Sequence, residues 1–470
     1  MSIRGILLGI SLLALTTSCT VGPNYKRPAV PTPPQYRGPQ PEAAADLKAS
    51  VADHKFFDLF KDEALQATVD TALKNNFDLR IAAERIQQAR AQYGIQRASL
   101  FPFVSGAVQW NATRASTLGS LPFISEDASL QFAYTQAGIS VNWELDIWGR
   151  IRRLTEAARA QYLATEEARN AIRVSLTSDV ASAWFQLHEQ DLELAISRQT
   201  RDIAADGLRL TNLRRDRGVA SGLDVRQAEQ LLYTATSQIT IAERNIGQTE
   251  DQLSFLLGQQ PGPVTRGRPL EQVIPQVELP PGLPADLLAR RPDIRQAEQT
   301  LIAANANIGA ARAQYFPQIA LTAFGGGQSR ALMRLLDTPA RLATINPQAL
   351  IPIFRAGQVR NTVRLTEAQQ REALVLYERT IFAALRDVSD ALIAVDRIRE
   401  QRSQQENLVK ALADSSRLAR LRYEGGLDSY LQVLDAQRNL FSGQLVLAQV
   451  RLLELQSVLR LYRSLGGGWQ

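Results

Sequence analysis

Few residues of this sequence could act together in covalent, metal or acid–base chemistry. The chain of 470 residues holds one cysteine and two histidines. A single cysteine excludes an intramolecular disulfide, and His54 and His188 are too few for a multi-histidine metal site. The sequence has no phosphate-binding loop, no glycine-rich dinucleotide turn and no nucleophile elbow. We therefore predict no catalytic, metal or cofactor site, and an enzyme is disfavoured.

The lone cysteine, Cys19, follows a segment that is typical of secretory signals. Arg4 gives a basic start, residues 6–15 are apolar, and small polar residues come next. An apolar core of about ten residues is too short to span a bilayer as a mature helix. The exported chain is therefore expected to begin near Cys19.

Small residues before a cysteine resemble the lipobox of bacterial lipoproteins, although Thr16 stands where that family usually has leucine. In those proteins the cysteine sulfur receives a diacylglycerol and the new N-terminus is acylated. The resemblance implies a covalent lipid on Cys19, with enough acyl chains for stable anchoring. Thr20, where proteins kept in the inner membrane often carry aspartate, implies delivery to the outer membrane. A free cysteine beside a conventional cleavage site is the alternative.

Charged residues are balanced and interleaved along the chain. There are 53 basic and 47 acidic residues, which give a net charge of +6. Interleaved charges are typical of solvated helix faces and not of the continuous basic stripe that binds nucleic acid. We therefore predict no nucleic-acid partner.

The chain repeats itself. The motif at 94–102 recurs at 309–317 with an offset of 215 residues, and the "G-x-x-R" motif of Gly149 recurs at Gly357 with an offset of 208. Internal repeats of this kind indicate duplicated supersecondary units. The same offset of 208 relates Gly218, Ser221, Leu223 and Ala228 to Gly426, Ser429, Leu431 and Ala436. We predict a signal peptide (1–18), a lipidated N-terminus with an extended Pro-rich linker (19–61), repeat 1 (62–265), a linker (266–284) and repeat 2 (285–470).

Each repeat is predicted to hold a helix, two strands, a long helix, a glycine-containing tip and a further helix. Phe-Pro ends the first helix of each repeat because proline disfavours helical geometry in the preceding residue. The long helices contain no proline and would each span about 100 Å if continuous. The predicted helices are 62–99, 149–217 and 223–257 in the first repeat, and 285–315, 357–424 and 428–465 in the second.

The strand-like segment at 131–145 alternates between apolar and polar residues, with Trp143 and Tyr134 as possible membrane-interface residues. Such alternation is the weak signature of an outer-membrane strand. A soluble two-stranded sheet is the alternative.

The last helix carries a heptad seam, which predicts coiled-coil packing. The seam consists of Phe441, Leu445, Ala448, Leu452, Leu455, Leu459 and Tyr462.

Four strands per chain are too few to close a membrane barrel, since the smallest barrels have about eight. Open strand edges cannot face lipid, because their N–H and C=O groups would have no partner there. Closure by rotational symmetry therefore requires at least two chains. These arguments alone do not choose between two, three and four.

Four motifs resemble the lipoprotein branch of the TolC-like outer-membrane efflux channels, in that family's order and over essentially the whole mature chain. The resemblance implies a mostly α-helical fold with some β structure, and a homotrimer. Its twelve-stranded outer-membrane β-barrel would continue as a periplasmic α-helical barrel. It also implies a passive exit duct for small molecules such as drugs or toxic compounds, which serves a periplasmic adaptor protein and an inner-membrane transporter. The motifs are "CTVGPNYKRP" (19–28), "LLARRPDIRQAE" (287–298), "ARAQYFPQI" (311–319) and "RYEGGLDSYLQVLDAQRNLF" (422–441).

The two helical tips, residues 217–223 and 425–431, are the predicted working parts. Glycines permit a tight reversal there, and the resemblance puts the tips at the periplasmic end. An ordinary solvated coiled-coil turn is the alternative. Asp428 matches a position whose carboxylate faces the closed aperture, and Tyr430 is expected to help to hold the tips shut. The alternative for Asp428 is the N-cap of the helix that follows, a role that is compatible with a position at the aperture. The predicted adaptor-docking residues are Arg217, Gly218, Ser221, Gly425, Gly426, Leu427 and Ser429.

Two other functions compete with this one. A pore-less, lipid-anchored coiled-coil spacer explains the heptads and Cys19, but not the paired strands. A duct for type I protein secretion fits the channel class, although such ducts usually lack the lipid anchor. The predicted location is the outer membrane, with a lipid anchor and with the helical part in the periplasm.

Overall fold

The computed structural model describes residues 20–38, 50, 59–114, 131–273 and 280–467. The predicted signal peptide and Cys19 lie outside the described residues. The helices are α1 (Glu63–Asn75), α2 (Phe77–Ala98), α3 (Arg150–Asp216), α4 (Gly222–Leu256), α5 (Leu270–Val273), α6 (Leu287–Arg290), α7 (Pro292–Ala313), α8 (Gln358–Glu424) and α9 (Tyr430–Ser464). The strands are β1 (Phe103–Arg114), β2 (Gln131–Leu145), β3 (Gln318–Ser329) and β4 (Arg341–Leu350). Single 3-10 turns cover Pro284–Asp286, Leu332–Arg334 and Thr338–Ala340.

The two repeats match closely in their helices. Both α3 and α8 have 67 residues, and both α4 and α9 have 35. Each pair reverses at a glycine tip, as the repeat offset of 208 predicts. The predicted fold of two repeats, mostly helical with two strands each, is confirmed.

The predicted single helix over 62–99 is wrong at Asn76. This residue leaves helical geometry with a ψ of 134°. Its side chain then caps α2, since Oδ1 accepts hydrogen bonds from the N–H groups of Asp78 (2.9 Å) and Leu79 (3.2 Å). Asparagine favours this N-cap position over a helix interior. A capping residue therefore divides the segment into α1 and α2.

The predicted helix over 285–315 is also divided, at Pro292. Arg291 has φ −78° and ψ 121°, which is extended geometry. Proline disfavours the helical region for the residue before it. As a result α6 ends at Arg290 and α7 begins at the proline.

The described residues form two compact units, and each unit draws on both repeats. The first takes residues 20–28, Ile86–Ala164 and Ala297–Leu376, and it contains the sheet. The second takes Ala29–Arg85, Thr165–Gln296 and Tyr377 onward, and it contains both tips. Duplication in sequence therefore does not correspond to one compact unit per repeat.

The sheet of the first unit is antiparallel in the order β1-β2-β3-β4, so β1 and β4 are its edges. Its register has no bulge, so alternate residues line each face. One face is apolar, and its residues include Val104, Val108, Trp110, Ala137, Ile139, Val141, Trp143, Leu321, Ala323 and Ile345. The other face is mainly polar, and its residues include Ser105, Gln109, Asn111, Gln136, Ser140, Asn142, Thr322, Gln328, Asn346 and Gln348.

Beside the sheet, α3 and α7 pack through alanines. Ala157 and Ala160 of α3 meet Ala303 and Ala306 of α7 in one buried cluster. Small side chains let two helices approach closely, which favours a narrow and well-ordered contact. This contact positions the helix that leaves β2 against the helix that enters β3.

The segment 20–38 has no helix or strand, in line with the extended conformation predicted for the Pro-rich part. It nevertheless packs on both sides of Pro28. In the first unit, Val21 N donates to the Trp148 carbonyl at 3.1 Å. In the second unit, Tyr36 is 5% exposed and its hydroxyl donates to the Leu283 carbonyl at 3.4 Å. The segment has no core of its own, but other elements hold it in place.

The heptad seam of α9 is buried or half-buried along its length. In the last five turns the opposite side is also buried, including Leu447, Val458 and Leu461. The helix is therefore more enclosed than a coiled-coil seam predicts. Across the described residues, no helix is both long enough and apolar enough to cross a membrane.

Candidate functional site

The first tip is closed by Gly218 at the end of α3. Its φ is +75°, in the left-handed region that favours glycine. Gly218 N donates to the Arg215 carbonyl and Val219 N donates to the Arg214 carbonyl, both at 2.8 Å. This pattern satisfies the last carbonyl groups of the helix and reverses the chain.

A capping box then starts α4. The Asp224 N–H donates to Ser221 Oγ at 3.2 Å, and Ser221 N donates to Asp224 Oδ2 at 2.8 Å. Two backbone donors are thereby satisfied reciprocally, which fixes the point where the helix begins. The first tip is therefore held by local hydrogen bonds on both sides of its turn.

The second tip repeats the glycine but not the capping box. Gly426 has a φ of +74°, and Leu427 N donates to the Arg422 carbonyl at 2.9 Å. Ser429 occupies the N-cap position of α9, but its side chain makes no capping hydrogen bond. The residue three places later is Gln432, where the first repeat has an aspartate. The second tip therefore depends on another interaction.

That interaction is the ion pair between Asp428 and Arg422. Arg422 Nε lies close to Asp428 Oδ2, and Nη2 lies 3.4 Å from Oδ1. Hydrogen bonding to the guanidinium holds the pKa of the Asp428 carboxyl below its ordinary value. The alternative N-cap role of Asp428 is wrong, because Ser429 takes that position. The carboxylate is ionised, and a cation of its own chain neutralises it.

Tyr430 lies inside the protein, in a buried cluster that joins the four helices beneath the tips. Its ring centroid is 5.2 Å from that of Tyr423. Burial raises the pKa of the Tyr430 hydroxyl, which also hydrogen-bonds to Thr211. A Cβ on Gly207 would lie only 2.4 Å from that hydroxyl oxygen. The other buried members are Ala204, Ala228, Leu231, Val433 and Leu434.

The structure brings the two tips together through this cluster and through Arg214, whose guanidinium lies 4.2 Å from the centroid of the Tyr423 ring. Asp428 is half-buried and Tyr430 is buried. The other predicted tip residues are exposed: Arg217, Gly218 and Ser221 in the first tip, and Gly425, Gly426, Leu427 and Ser429 in the second.

Besides the residues predicted to dock the adaptor, the tips carry three more exposed apolar residues, Val219, Leu223 and Leu431. Val219 (74% exposed) and Leu223 (66%) belong to the first tip. Their counterparts at an offset of 208 are Leu427 (72%) and Leu431 (49%). Each tip therefore exposes apolar side chains at two matched positions of its turn. These residues could have been found in the sequence by comparing every residue of one tip with its counterpart 208 positions away.

The described residues contain no group of three or more His, Cys, Asp or Glu side chains that could hold a metal ion. Cys19 falls outside them, so its acylation stays a prediction. Its neighbour Thr20 is described and contacts the turn before α3, since a Cβ on Gly149 would lie 2.8 Å from Thr20 Cγ2.

A sheet with one apolar face, joined to paired helices of 67 and 35 residues with glycine tips, defines a class of outer-membrane channel proteins. A family model described as outer membrane efflux protein matches residues 68–259 and 283–467. The chain belongs to the outer membrane efflux protein family.

Known members resemble the chain over nearly its whole length. The solvent efflux pump outer membrane protein SrpC of Pseudomonas putida is 39% identical over 97% of each chain. The outer membrane protein OprJ of Pseudomonas aeruginosa is 38% identical over 97% of this chain and 95% of its own. The open-state structure of the Neisseria gonorrhoeae MtrE outer membrane channel matches with a TM-score of 0.86 and 29% identity, over 96% of this chain and 99% of that one.

These findings confirm the predicted resemblance to TolC-like efflux channels. The protein is an outer-membrane exit duct of a tripartite efflux pump, and it is not an enzyme.

Proposed function

We propose that three copies of this chain form a single duct whose twelve strands close a barrel in the outer membrane. The observation that carries this proposal is the sheet with an apolar and a polar face, in which the outer edges of β1 and β4 pair with no other strand among the described residues. Val108 (79% exposed) lies on β1 and Ile345 (72%) lies on β4, both on the apolar face. An edge strand cannot face lipid without a partner, so β1 of one copy pairs with β4 of the next.

In this arrangement the apolar face contacts lipid and the polar face lines the pore. Hydrogen-bonding residues such as Gln136 and Asn142 of β2 then border a water-filled channel. Three copies supply twelve strands and, in the helical part, a matching barrel of twelve helices in the periplasm. The trimer number follows from the resemblance and not from the sheet alone.

The same proposal anchors each chain by lipid on Cys19. The docked segment that follows supports it, because Thr20 is held against the turn at Gly149 between β2 and α3. A lipid attached one residue earlier enters the bilayer beside the barrel strands. Two or more acyl chains give stable anchoring.

The cargo we propose is small organic molecules, such as drugs or toxic compounds. The relatives are named as outer membrane proteins of solvent, toluene and antibiotic efflux pumps. The duct itself supplies no energy, which comes from an inner-membrane transporter joined through a periplasmic adaptor. A wide aqueous pore contributes little selectivity, so the transporter selects the cargo.

We place the adaptor contact at the tips, on the exposed residues Arg217, Gly218, Ser221, Gly425, Gly426, Leu427 and Ser429. The apolar side chains of Val219, Leu223 and Leu431 extend that surface. Asp428 and Tyr430 act at the aperture: the first carries a compensated charge, and the second positions the tip from beneath. Adaptor binding favours the open state by contacting the tips better in that state.

Planar-bilayer recording of the purified full chain tests the duct. We expect discrete conductance steps from particles that contain three protomers by native mass spectrometry. A particle that has three protomers but no conductance would support the coiled-coil spacer instead.

Labelled palmitate tests the lipid anchor. It should enter the wild-type chain and not the Cys19→Ser variant. Equal incorporation into both chains would overturn the anchor and leave the duct unaffected.

A drug-susceptibility assay separates efflux from type I secretion. In a host that lacks its own outer-membrane efflux protein, co-expression with a proton-driven transporter and its adaptor should restore resistance to toluene. Secretion of a reporter toxin without such resistance would favour the type I duct.

A further inference from the structure

The loop between β3 and β4 exposes apolar side chains to an unusual degree. Met333 is 93% exposed, Leu336 is 92% exposed and Leu332 is 67% exposed. Clustered apolar residues of this kind mark a surface that another molecule covers.

Hydrogen bonds within the loop define its backbone conformation. Arg334 N donates to the Ala331 carbonyl at 3.0 Å, and Leu335 N donates to the Leu332 carbonyl at 3.2 Å. Ala331 N also donates to Ser329 Oγ at 3.2 Å, which ties the loop to the end of β3. These bonds fix the backbone of the loop, and the side chains of Leu332, Met333 and Leu336 are exposed on it.

The loop folds over the apolar face of the sheet. The Leu335 carbonyl oxygen lies 2.2 Å from where a Cβ of Gly327 would be, so only glycine admits this approach. Gly327 pairs with Ala137 on one side and Arg341 on the other, and its side-chain direction is that of the apolar face. The loop therefore lies on the side of the sheet that contacts lipid in the proposed barrel.

Three arginines surround the apolar residues. Arg330, Arg334 and Arg341 are exposed, and Arg341 belongs to the apolar face by its register. Arg334 pairs with Asp337 at 3.1 Å, with 72% and 48% of the two side chains exposed. Three positive charges against one negative charge leave the segment 330–341 with a charge of +2. An arginine at the membrane interface is stabilised by the anionic headgroup of a lipid.

The loop also lies at the end of the sheet away from the helices. The strand ends at Phe103, Leu145, Gln318 and Leu350 adjoin helices, whereas Ser329 and Arg341 adjoin the loop. With the helical part in the periplasm, as proposed above, this end of the sheet reaches the outer leaflet. The inference that follows rests on that orientation.

We propose that residues 330–341 bind a phosphate-bearing acyl lipid of the outer leaflet. The guanidinium groups of Arg330, Arg334 and Arg341 hold the phosphates, to which arginine binds in bidentate geometry. Leu332, Met333 and Leu336 contact the acyl chains beneath. A second copy of the chain is a poorer occupant, since two such loops would bring like charges together. A plug inside the pore is disfavoured because the loop lies on the apolar face.

The test uses the purified full chain, titrated with phosphatidylcholine vesicles that contain bis-phosphorylated lipid A. Two triple variants are compared with the wild type. The arginine variant removes the positive charges and combines Arg330→Gln, Arg334→Gln and Arg341→Gln. The serine variant removes the apolar contact and combines Leu332→Ser, Met333→Ser and Leu336→Ser. We expect lipid A affinity to fall about fivefold for each arginine lost. The serine variant should also bind more weakly. Vesicles of phosphatidylcholine alone carry no net charge and should not distinguish the arginine variant from the wild type.

A matched control replaces three exposed helix arginines, Arg209, Arg226 and Arg397, with glutamine, and its lipid A affinity should equal that of the wild type. An equal loss in this control, or unchanged binding by the loop variants, would overturn the proposal. Competition by inorganic phosphate at equal concentration would also overturn it, because the acyl chains would then contribute nothing. So would a changed number of protomers per particle in the serine variant.

Conductance separates this proposal from the duct itself. The loop variants should keep wild-type conductance, which also shows that they fold. Lost lipid binding with normal conductance supports the loop proposal. Normal lipid binding with normal conductance overturns the loop proposal and leaves the duct intact. A wild-type chain without conductance contradicts the duct whatever the lipid result.

Discussion

The guanidinium of Arg214 lies over the ring of Tyr423, 4.2 Å from its centroid, and so joins the first tip to the second. The repeat counterpart of Arg214 is Arg422, which pairs with Asp428 instead. Ala220 stands in the first repeat where Asp428 stands in the second, so Arg214 has no equivalent carboxylate. One repeated arginine therefore serves as a stacking contact in one tip and as a charge partner in the other.

Neutralisation of Asp428 by Arg422 predicts opposite effects of two substitutions on ion selectivity. Arg422→Gln leaves the carboxylate uncompensated and should raise the cation preference of the duct. Asp428→Asn leaves the guanidinium uncompensated and should lower it. Reversal potentials in a salt gradient across a planar bilayer measure both.

The double variant Arg422→Gln/Asp428→Asn restores a neutral pair and should return the selectivity to the wild-type value. If neither single substitution changes the ion selectivity, Arg422 and Asp428 do not lie along the conducting path. Arg214→Gln is the matched control, since its guanidinium faces a ring and not a carboxylate.

Gly207 provides the space that the Tyr430 hydroxyl occupies. Gly207→Ala places a methyl group 2.4 Å from that oxygen. Overpacking of this kind costs about 1–3 kcal/mol, and we expect a lower thermal midpoint and more frequent spontaneous opening of the duct. Tyr430→Phe removes the oxygen, and the next ring atom lies 3.6 Å away, at ordinary contact distance.

The combination Gly207→Ala/Tyr430→Phe should therefore recover most of the midpoint that Gly207→Ala loses. Failure of the rescue would mean that the alanine acts through the backbone of α3. Calorimetry and single-channel recording on the same preparations give the two readouts.

Glu189 and Glu193 form a buried carboxyl pair on α3, with 5% and 7% of the residues exposed. Burial raises the pKa of Glu189 from 4.5 to about 8, together with the negative charge of Glu193 and the hydrogen bond that the protonated Glu189 donates to the Glu193 carboxylate. The folded state then holds a proton that the unfolded state releases above its own pKa. The free energy of unfolding should therefore fall as the pH rises from about 5 to about 8.

Glu189→Gln keeps the hydrogen-bonding shape without the titration. Its thermal midpoint should vary less across this range and exceed that of the wild type at the alkaline end. Glu372→Gln, at an exposed position of α8, should follow the wild type. A wild-type midpoint that rises with pH over this range would contradict the assignment.

Gly309 admits the segment that follows Cys19. A Cβ there would lie 2.7 Å from the Val21 carbonyl oxygen and 2.9 Å from Arg153 Cγ. Gly309→Ala should therefore displace this segment, in which Arg27 pairs with Glu298 and Arg153 Nη2 donates to Asn24 Oδ1 at 2.6 Å.

Limited trypsin digestion detects the displacement, because the peptide bond between Lys26 and Arg27 becomes a cleavage site. Gly94 is the repeat counterpart of Gly309, and nothing lies within 4 Å of a Cβ placed there. Gly94→Ala is thus the matched control, and its digestion should proceed as in the wild type. Equal cleavage of both variants would show that the segment is not held by this close approach.

Features that depend on local chemistry could be predicted from the sequence. The helices of both repeats, the reversals at Gly218 and Gly426 and the alternation of β2 follow from periodicity, glycine and the repeat offsets. Two boundaries were missed although their signals are local: Asn76 caps a new helix, and Pro292 ends the one before it. Asn76 and Pro292 are both visible in the sequence, but the helical periodicity on either side of each led to the prediction of one continuous helix.

The sequence by itself determined the repeat, the length of the helices, the face of each strand that is apolar and the solitary cysteine. These follow from the identity and spacing of neighbouring residues. Only the tertiary structure decided three contacts. Arg422 neutralises Asp428, the Tyr430 hydroxyl fills the space beside Gly207, and the Leu335 carbonyl oxygen packs against Gly327. Packing brings the last two pairs together from different elements, and the ion pair depends on how tightly the chain reverses at Gly426, so residue spacing alone predicts none of the three.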